Sequence, residues 1–89
     1  MRLKEGYVLR DVCGDTVIIG EGLGAIDFGK LLILNETAAW LWNEARQLGD
    51  FTIDSLASRF CEEYDVPADV AKGDVADIVG KWQEFDVIE

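Results

Sequence analysis

The sequence contains no histidine, and this absence excludes a large class of chemistry. Without a histidine base, neither a Ser–His nor a Cys–His nucleophilic pair can be assembled. The two cysteines, Cys13 and Cys61, lie far apart with no CxxC pair, which excludes zinc and iron–sulfur sites built from this chain alone. We expect Cys61 to be a small buried hydrophobic residue rather than half of a disulfide. The sequence therefore predicts a protein that is not an enzyme, with no metal site and no cofactor.

Basic residues are also scarce. The chain has 8 Lys and Arg against 18 Asp and Glu, giving a net charge of −10, and residues 35–89 carry four basic and thirteen acidic groups. Binding to nucleic acid needs Lys and Arg to displace phosphate counterions, so a nucleic-acid partner is not expected. We interpret the acidity mainly as a determinant of solubility, with steering of a basic partner as the alternative.

Long apolar runs are absent as well. The N-terminal residues lack the apolar core of a signal peptide, and no run approaches the roughly 20 apolar residues that cross a bilayer. We therefore expect a cytoplasmic protein with no membrane partner. With 49% apolar residues and one proline the composition argues against disorder. A chain of 89 residues has room for one modest core, so residues 1–89 are expected to form a single domain.

Three β-type segments come first in the chain. Residues 7–12 are rich in β-formers and run into Gly14-Asp15, a two-residue turn signal that predicts a hairpin with residues 16–19. A glycine-rich stretch at residues 20–29 separates this hairpin from a third predicted strand at residues 30–34. Because residues 31–34 are apolar at every position, we expect both faces of the third strand to be covered.

Three amphipathic helices are predicted after the strands. Asn35 is a suitable N-cap for a helix over residues 36–48, Thr52 can cap a second helix, and Pro67 suits the first position of a third helix that ends near Asp86. Each helix repeats apolar residues at the i, i+3, i+4, i+7 spacing. Strands first and helices second predict an α+β fold with three antiparallel strands followed by three helices.

Two short motifs have alternative interpretations. Residues 20–25 match the GxGxxA dinucleotide fingerprint, but a strand and not a helix follows, so we interpret them as a loop. The Asp54-Ser55-Leu56 triplet resembles the phosphopantetheine site of acyl carrier proteins, which would make Ser55 the attachment point. The three preceding strands are inconsistent with the all-helical bundle that this resemblance implies. We therefore interpret Ser55 as a surface residue near a helix start.

A sheet of three short strands leaves two edges open, and an open edge is a template for an extended peptide. The apolar third strand is compatible either with the floor of a peptide groove or with a fully buried central strand.

The segments LKEGYVLR at residues 3–10, LNETAAWLW at residues 34–42, and Tyr64-Asp65-Val66 with Asp74-Val75 are similar to those of the PqqD family. The resemblance spans nearly the whole chain. It implies a winged-helix-like domain, also called a RiPP recognition element, that binds the leader of a ribosomally made precursor peptide. Such a domain presents the leader to a modifying enzyme, often a radical SAM protein, and catalyses nothing itself.

In this family the leader adds as a strand beside the third β-strand and rests against the third helix. The resemblance therefore implies peptide contacts on both elements, at Lys30, Leu31, Leu32, Ile33, Leu34, Lys72, Val75, Ala76 and Val79. The expected partners are a precursor peptide and its modifying enzyme, and a homodimer is compatible with the same sequence. The alternatives are a winged-helix regulatory or protein-interaction module that meets no precursor peptide, and an acyl carrier.

Overall fold

The computed structural model describes residues 1–20 and 32–89, and these residues form three strands followed by three helices. The glycine-rich fingerprint after Gly20 and the expected contacts Lys30 and Leu31 lie outside the described residues. The element bounds are β1 Tyr7–Val12, β2 Asp15–Gly20, β3 Leu32–Leu34, α1 Glu36–Leu48, α2 Ile53–Tyr64 and α3 Ala68–Glu84. The strands form one antiparallel sheet in the order β1-β2-β3. The α+β fold class is confirmed, and the arrangement is consistent with a winged-helix-like domain.

The turn between β1 and β2 differs from the prediction by one residue. Val12 pairs with Asp15, so the two loop residues are Cys13 and Gly14 and not Gly14 and Asp15. Both have positive φ, 53° for Cys13 and 86° for Gly14, as a type I′ hairpin turn requires. The glycine signal is therefore correct, but Gly14 occupies the second turn position.

A cysteine at positive φ is unfavourable, whereas asparagine adopts this conformation readily and Asn-Gly is the preferred type I′ pair. We expect Cys13→Asn to raise the free energy of unfolding by about 0.5 to 1 kcal/mol, measured by urea denaturation. Gly14→Ala is the matched opposite change. No atom lies within 4 Å of the added Cβ, so its expected destabilisation arises from the backbone conformation alone. A Cys13→Asn variant less stable than the wild type would contradict this account of the turn.

The first two helices each begin at a residue whose side chain caps the helix N-terminus. The Asn35 Oδ1 accepts a hydrogen bond from the Ala38 N–H at 2.8 Å, as predicted. Thr52 and Ser55 form a reciprocal capping box at the start of α2. The third helix begins at Ala68, so Pro67 precedes the first helical residue rather than occupying it.

The capping box also defines the role of Ser55. Its Oγ accepts from the Thr52 N–H at 2.9 Å and donates to the Thr52 carbonyl at 3.0 Å, so the hydroxyl is already used in holding the helix end. The three strands distinguish this fold from the all-helical bundle that an acyl carrier implies. No feature of the structure supports the acyl carrier alternative.

The core lies where the three helices meet one face of the sheet. Trp82 of α3 is fully buried, and its ring packs edge-on against Trp42 at 5.3 Å and Phe51 at 6.5 Å between centroids. Ile18 and Leu34 contribute the buried side chains of the sheet to this core cluster. None of the helices in the described ranges combines the length and the apolarity needed to cross a membrane.

One expectation about the third strand is wrong. Leu34 is 7% exposed, but Ile33 is 64% exposed, so only one face of β3 is covered. Successive side chains of a strand point to opposite faces, and the helical core lies against the face of Leu34 and not that of Ile33.

Candidate functional site

The edge of β3 is the starting point for the site. Strand β3 pairs with β2 on one side only, and within residues 1–20 and 32–89 no strand pairs with its other side. Unpaired N–H and C=O groups along such an edge form a ladder that an extended chain can complete.

The hairpin turn determines which backbone groups each strand directs to which neighbour. In a two-residue turn the carbonyl of Val12 accepts from the N–H of Asp15, which makes these residues a hydrogen-bonded pair. Hydrogen-bonded and non-hydrogen-bonded pairs alternate along an antiparallel ladder. The odd-numbered residues of β2 therefore bond to β1, and the even-numbered residues direct their backbone groups to β3.

This alternation places the backbone of Ile33 at the open edge. Thr16 pairs with Leu34 and Ile18 pairs with Leu32, so these even-numbered positions of β2 bond to both ends of β3. The remaining residue, Ile33, occupies a non-hydrogen-bonded position, and its N–H and C=O point away from β2. Ile33 is thus the residue of β3 that offers both a donor and an acceptor to an incoming strand.

A cleft runs beside this edge, between β3 and α3. It has a volume of about 80 Å³ and is lined by residues 32–35, by Ala38 of α1, and by Ile78, Lys81 and Trp82 of α3. We call it the β3–α3 cleft. Six of its eight lining residues are apolar, and Asn35 and Lys81 are polar. The cleft therefore places a mixed apolar and polar surface next to an unpaired strand edge.

The structure separates the expected contact residues into groups. Leu32, Ile33 and Leu34 line the cleft. Val75 and Val79 are 0% and 1% exposed and belong to the core cluster, so neither side chain reaches the cleft.

The other two expected residues of α3 are exposed elsewhere. Lys72 makes an ion pair with Asp54 of α2 at 2.9 Å, and Ala76 is exposed without lining the cleft. The role of each of these residues in peptide binding stays a prediction, but on α3 the cleft is formed by Ile78, Lys81 and Trp82.

Helical geometry explains why the sequence suggested other residues of α3. Residues advance by about 100° along a helix, so a broad apolar stripe has two flanks. The buried centre of the stripe contains Val75 and Val79, with Lys72 and Ala76 on one flank and Ile78 with Lys81 on the other. Periodicity identifies the stripe but gives no information on which flank faces β3.

Three side chains of the cleft carry hydrogen-bond donors. The Nε1 of Trp82 is buried and has no hydrogen-bond partner among the described residues. The amide oxygen of Asn35 already accepts from the backbone N–H of Ala38, which leaves its NH₂ group as a donor. Lys81 adds an ammonium group. The cleft therefore suits a guest that brings acceptor atoms.

Comparisons with known proteins agree with this architecture. The model of the family described as coenzyme PQQ synthesis protein D, PqqD, matches residues 8–88. The structure of TbiB1 in complex with the TbiA(beta) leader peptide has a TM-score of 0.72 at 15% identity, covering 100% of this chain and 95% of that one. Lasso peptide synthetase B1 complexed with the leader peptide has a TM-score of 0.65 at 21% identity, covering 98% and 93%. At these identities the two likenesses show a shared fold.

No curated protein matches the chain. The family model, however, matches almost the whole length of the chain, from the first strand through the third helix to the residues that follow it. As the segments LKEGYVLR and LNETAAWLW indicated, the chain belongs to the PqqD family.

Proposed function

We propose that this protein binds the leader segment of a ribosomally synthesised precursor peptide and presents it to a modifying enzyme. The observation that carries the proposal is the open edge of β3, where the backbone of Ile33 faces outward beside the β3–α3 cleft. Membership of the PqqD family supports it, as do two proteins of the same fold that are each complexed with a leader peptide.

Strand addition divides the work of recognition between backbone and side chains. The guest exchanges backbone hydrogen bonds with Ile33, which supplies affinity for any extended segment. Alternate guest side chains then point to opposite faces of the enlarged sheet, so every second one is directed at the cleft. Pairing at the edge thus gives affinity, and the walls of the cleft give specificity.

The protein acts in this proposal by tethering and not by catalysis. Holding the leader beside a modifying enzyme converts the meeting of enzyme and precursor into a local event at high effective concentration. A radical SAM protein is the modifying enzyme we propose, following the family resemblance. We also propose a cytoplasmic location, and the exposed free thiol of Cys13 is compatible with a reducing compartment.

An NMR titration tests the proposal directly. ¹⁵N-labelled protein is titrated with synthetic leader peptides encoded by precursor genes that neighbour its own gene, with scrambled versions as the control. We expect saturable shifts concentrated in the amides of residues 32–35 and 78–82, and small shifts in α2, which lies away from the cleft. Saturable binding with shifts confined to other surfaces would contradict the proposed site, and the absence of binding to every leader would contradict the proposed function.

Self-association through the same edge is a competing use of β3. A homodimer that pairs two β3 strands would block the leader, so peptide affinity would fall as the protein concentration rises. Light scattering over the concentration range of the titration measures this effect.

A further inference from the structure

Among the residues that the structure describes, Lys81 has no ionic partner, although the chain has an excess of acidic groups. Of the three lysines that the structure describes, Lys4 pairs with Asp86 and Lys72 pairs with Asp54, each at 2.9 Å. No carboxylate lies within salt-bridge distance of the Lys81 ammonium among the described residues.

Acidic neighbours of Lys81 are present on its own helix. Asp77 lies four residues before it and Glu84 three residues after it, and both spacings bring side chains together on a helix surface. An acid four residues N-terminal to a lysine is the favourable orientation for such a pair. Nevertheless Lys81 lines the β3–α3 cleft and pairs with neither carboxylate. Its charge is available to a guest.

Trp82, the next residue, supplies a second unused donor. Its side chain lines the cleft and is 0% exposed, and its indole Nε1 has no acceptor among the residues that the structure describes. An indole nitrogen only donates, and at 0% exposure this one meets neither solvent nor a guest in the structure as it stands. A buried donor without a partner is costly, so Trp82 marks this wall of the cleft as a place where a small rearrangement that admits an acceptor would be favourable.

We propose that the cleft selects a guest segment that carries a carboxylate side chain, Asp or Glu, opposite Lys81 and Trp82. The inference rests on the proposed function, since it names the chemistry of the guest at the same site. The ammonium of Lys81, which is exposed and lines the cleft, neutralises the carboxylate. Charge-assisted hydrogen bonds of this kind are about twice as strong as neutral ones.

The net charge of −10 restricts the rest of the guest. A segment with several acidic residues would be repelled by the protein as a whole, whereas neutral or basic flanks would be tolerated or attracted. The guest is therefore a segment with one acidic side chain in register with Lys81, and neutral or basic residues on either side.

The experiment uses a displayed library of random twelve-residue peptides, selected separately on the wild-type protein and on four variants. Lys81→Met removes the charge, Lys81→Glu reverses it, and Ile33→Pro removes the edge donor. Lys72→Met is the matched control, because it removes an exposed lysine of the same helix on the other flank, away from the cleft. The strongest wild-type binder is then synthesised in its selected form and with its acidic residue replaced by Gln or Asn.

We expect the peptides selected on the wild type and on Lys72→Met to share an acidic residue at one fixed position. The peptides selected on Lys81→Glu should carry Lys or Arg at that position. The peptide with Gln or Asn in place of its acidic residue should bind the wild-type protein about tenfold more weakly than the acidic peptide. The affinities of the two peptides for Lys81→Met should differ by less than about twofold. The acidic peptide should also shift the indole ¹⁵N–H resonance of Trp82 in NMR spectra.

Two other outcomes separate the inference from the function on which it rests. The selected peptides could lose binding to Ile33→Pro and yet share no acidic position, or they could keep an acidic preference when selected on Lys81→Met. Either result would overturn the inference and leave strand addition intact. A library that yields no peptide sensitive to Ile33→Pro would overturn both.

Discussion

Replacing Ile33 with proline is expected to weaken leader binding by about a hundredfold while the free protein stays folded. The N–H of Ile33 points to the open edge, so proline removes a donor that the sheet itself does not use. Proline is tolerated on edge strands for this reason. A guest strand, in contrast, loses a ladder hydrogen bond and meets the pyrrolidine ring, which together cost roughly 2 to 3 kcal/mol. Isothermal titration calorimetry with a leader peptide measures the change.

Two further substitutions serve as controls for the backbone argument. Ile33→Ala keeps the N–H and truncates a side chain that is 64% exposed, so its affinity for the leader should change by less than about threefold. Leu34→Pro should instead unfold or strongly destabilise the free protein, because the Leu34 backbone faces β2 and its side chain is buried. A folded Ile33→Pro variant with wild-type affinity would show that no strand adds at this edge.

The second large effect is a contrast between two adjacent residues of α3. Val79→Asn should lower the free energy of unfolding by about 3 to 4 kcal/mol, since Val79 is 1% exposed and the amide would find no partner in the core. Loss on this scale is a large part of the stability of a small domain. Thermal and urea denaturation measure it, and any fall in peptide binding should follow the fraction of unfolded protein.

The same substitution one residue earlier should affect leader binding more than stability. Ile78 is half-buried and lines the cleft, so Ile78→Asn should cost only about 1 kcal/mol of stability but weaken leader binding by about tenfold. Because both variants introduce Asn, the comparison distinguishes a core position from a position on the cleft surface. Equal destabilisation by both variants, with equal loss of binding, would contradict the orientation of α3 described above.

Much of the fold follows from local sequence signals. Apolar periodicity, together with the capping residues Asn35 and Thr52, predicted all three helices within a few residues of their bounds. The glycine turn predicted the hairpin, with an error of one position that the pairing of Val12 with Asp15 corrects. These signals are readable because each depends on residues close together in the chain.

The site was only partly predictable. The third strand was predicted to be the peptide edge from its apolar run and the family resemblance, and Leu32, Ile33 and Leu34 do line the cleft. Ile78 and Lys81, which also line the cleft, were not among the predicted residues. The signal that could have suggested them is the position of both residues on one flank of the apolar stripe of α3, opposite the flank of Lys72.

By itself, the sequence determined the order of the elements, the identity of the apolar stripes, the family and the classes of chemistry that a chain without histidine cannot perform. Only the tertiary structure decided which flank of α3 faces β3, that the backbone of Ile33 is directed to the open edge, and that Lys81 meets no carboxylate of the described residues. The physical reason is that period and composition depend on neighbours in the chain. The rotation of a helix about its axis depends instead on packing between distant residues, here Trp82 against Trp42 and Phe51.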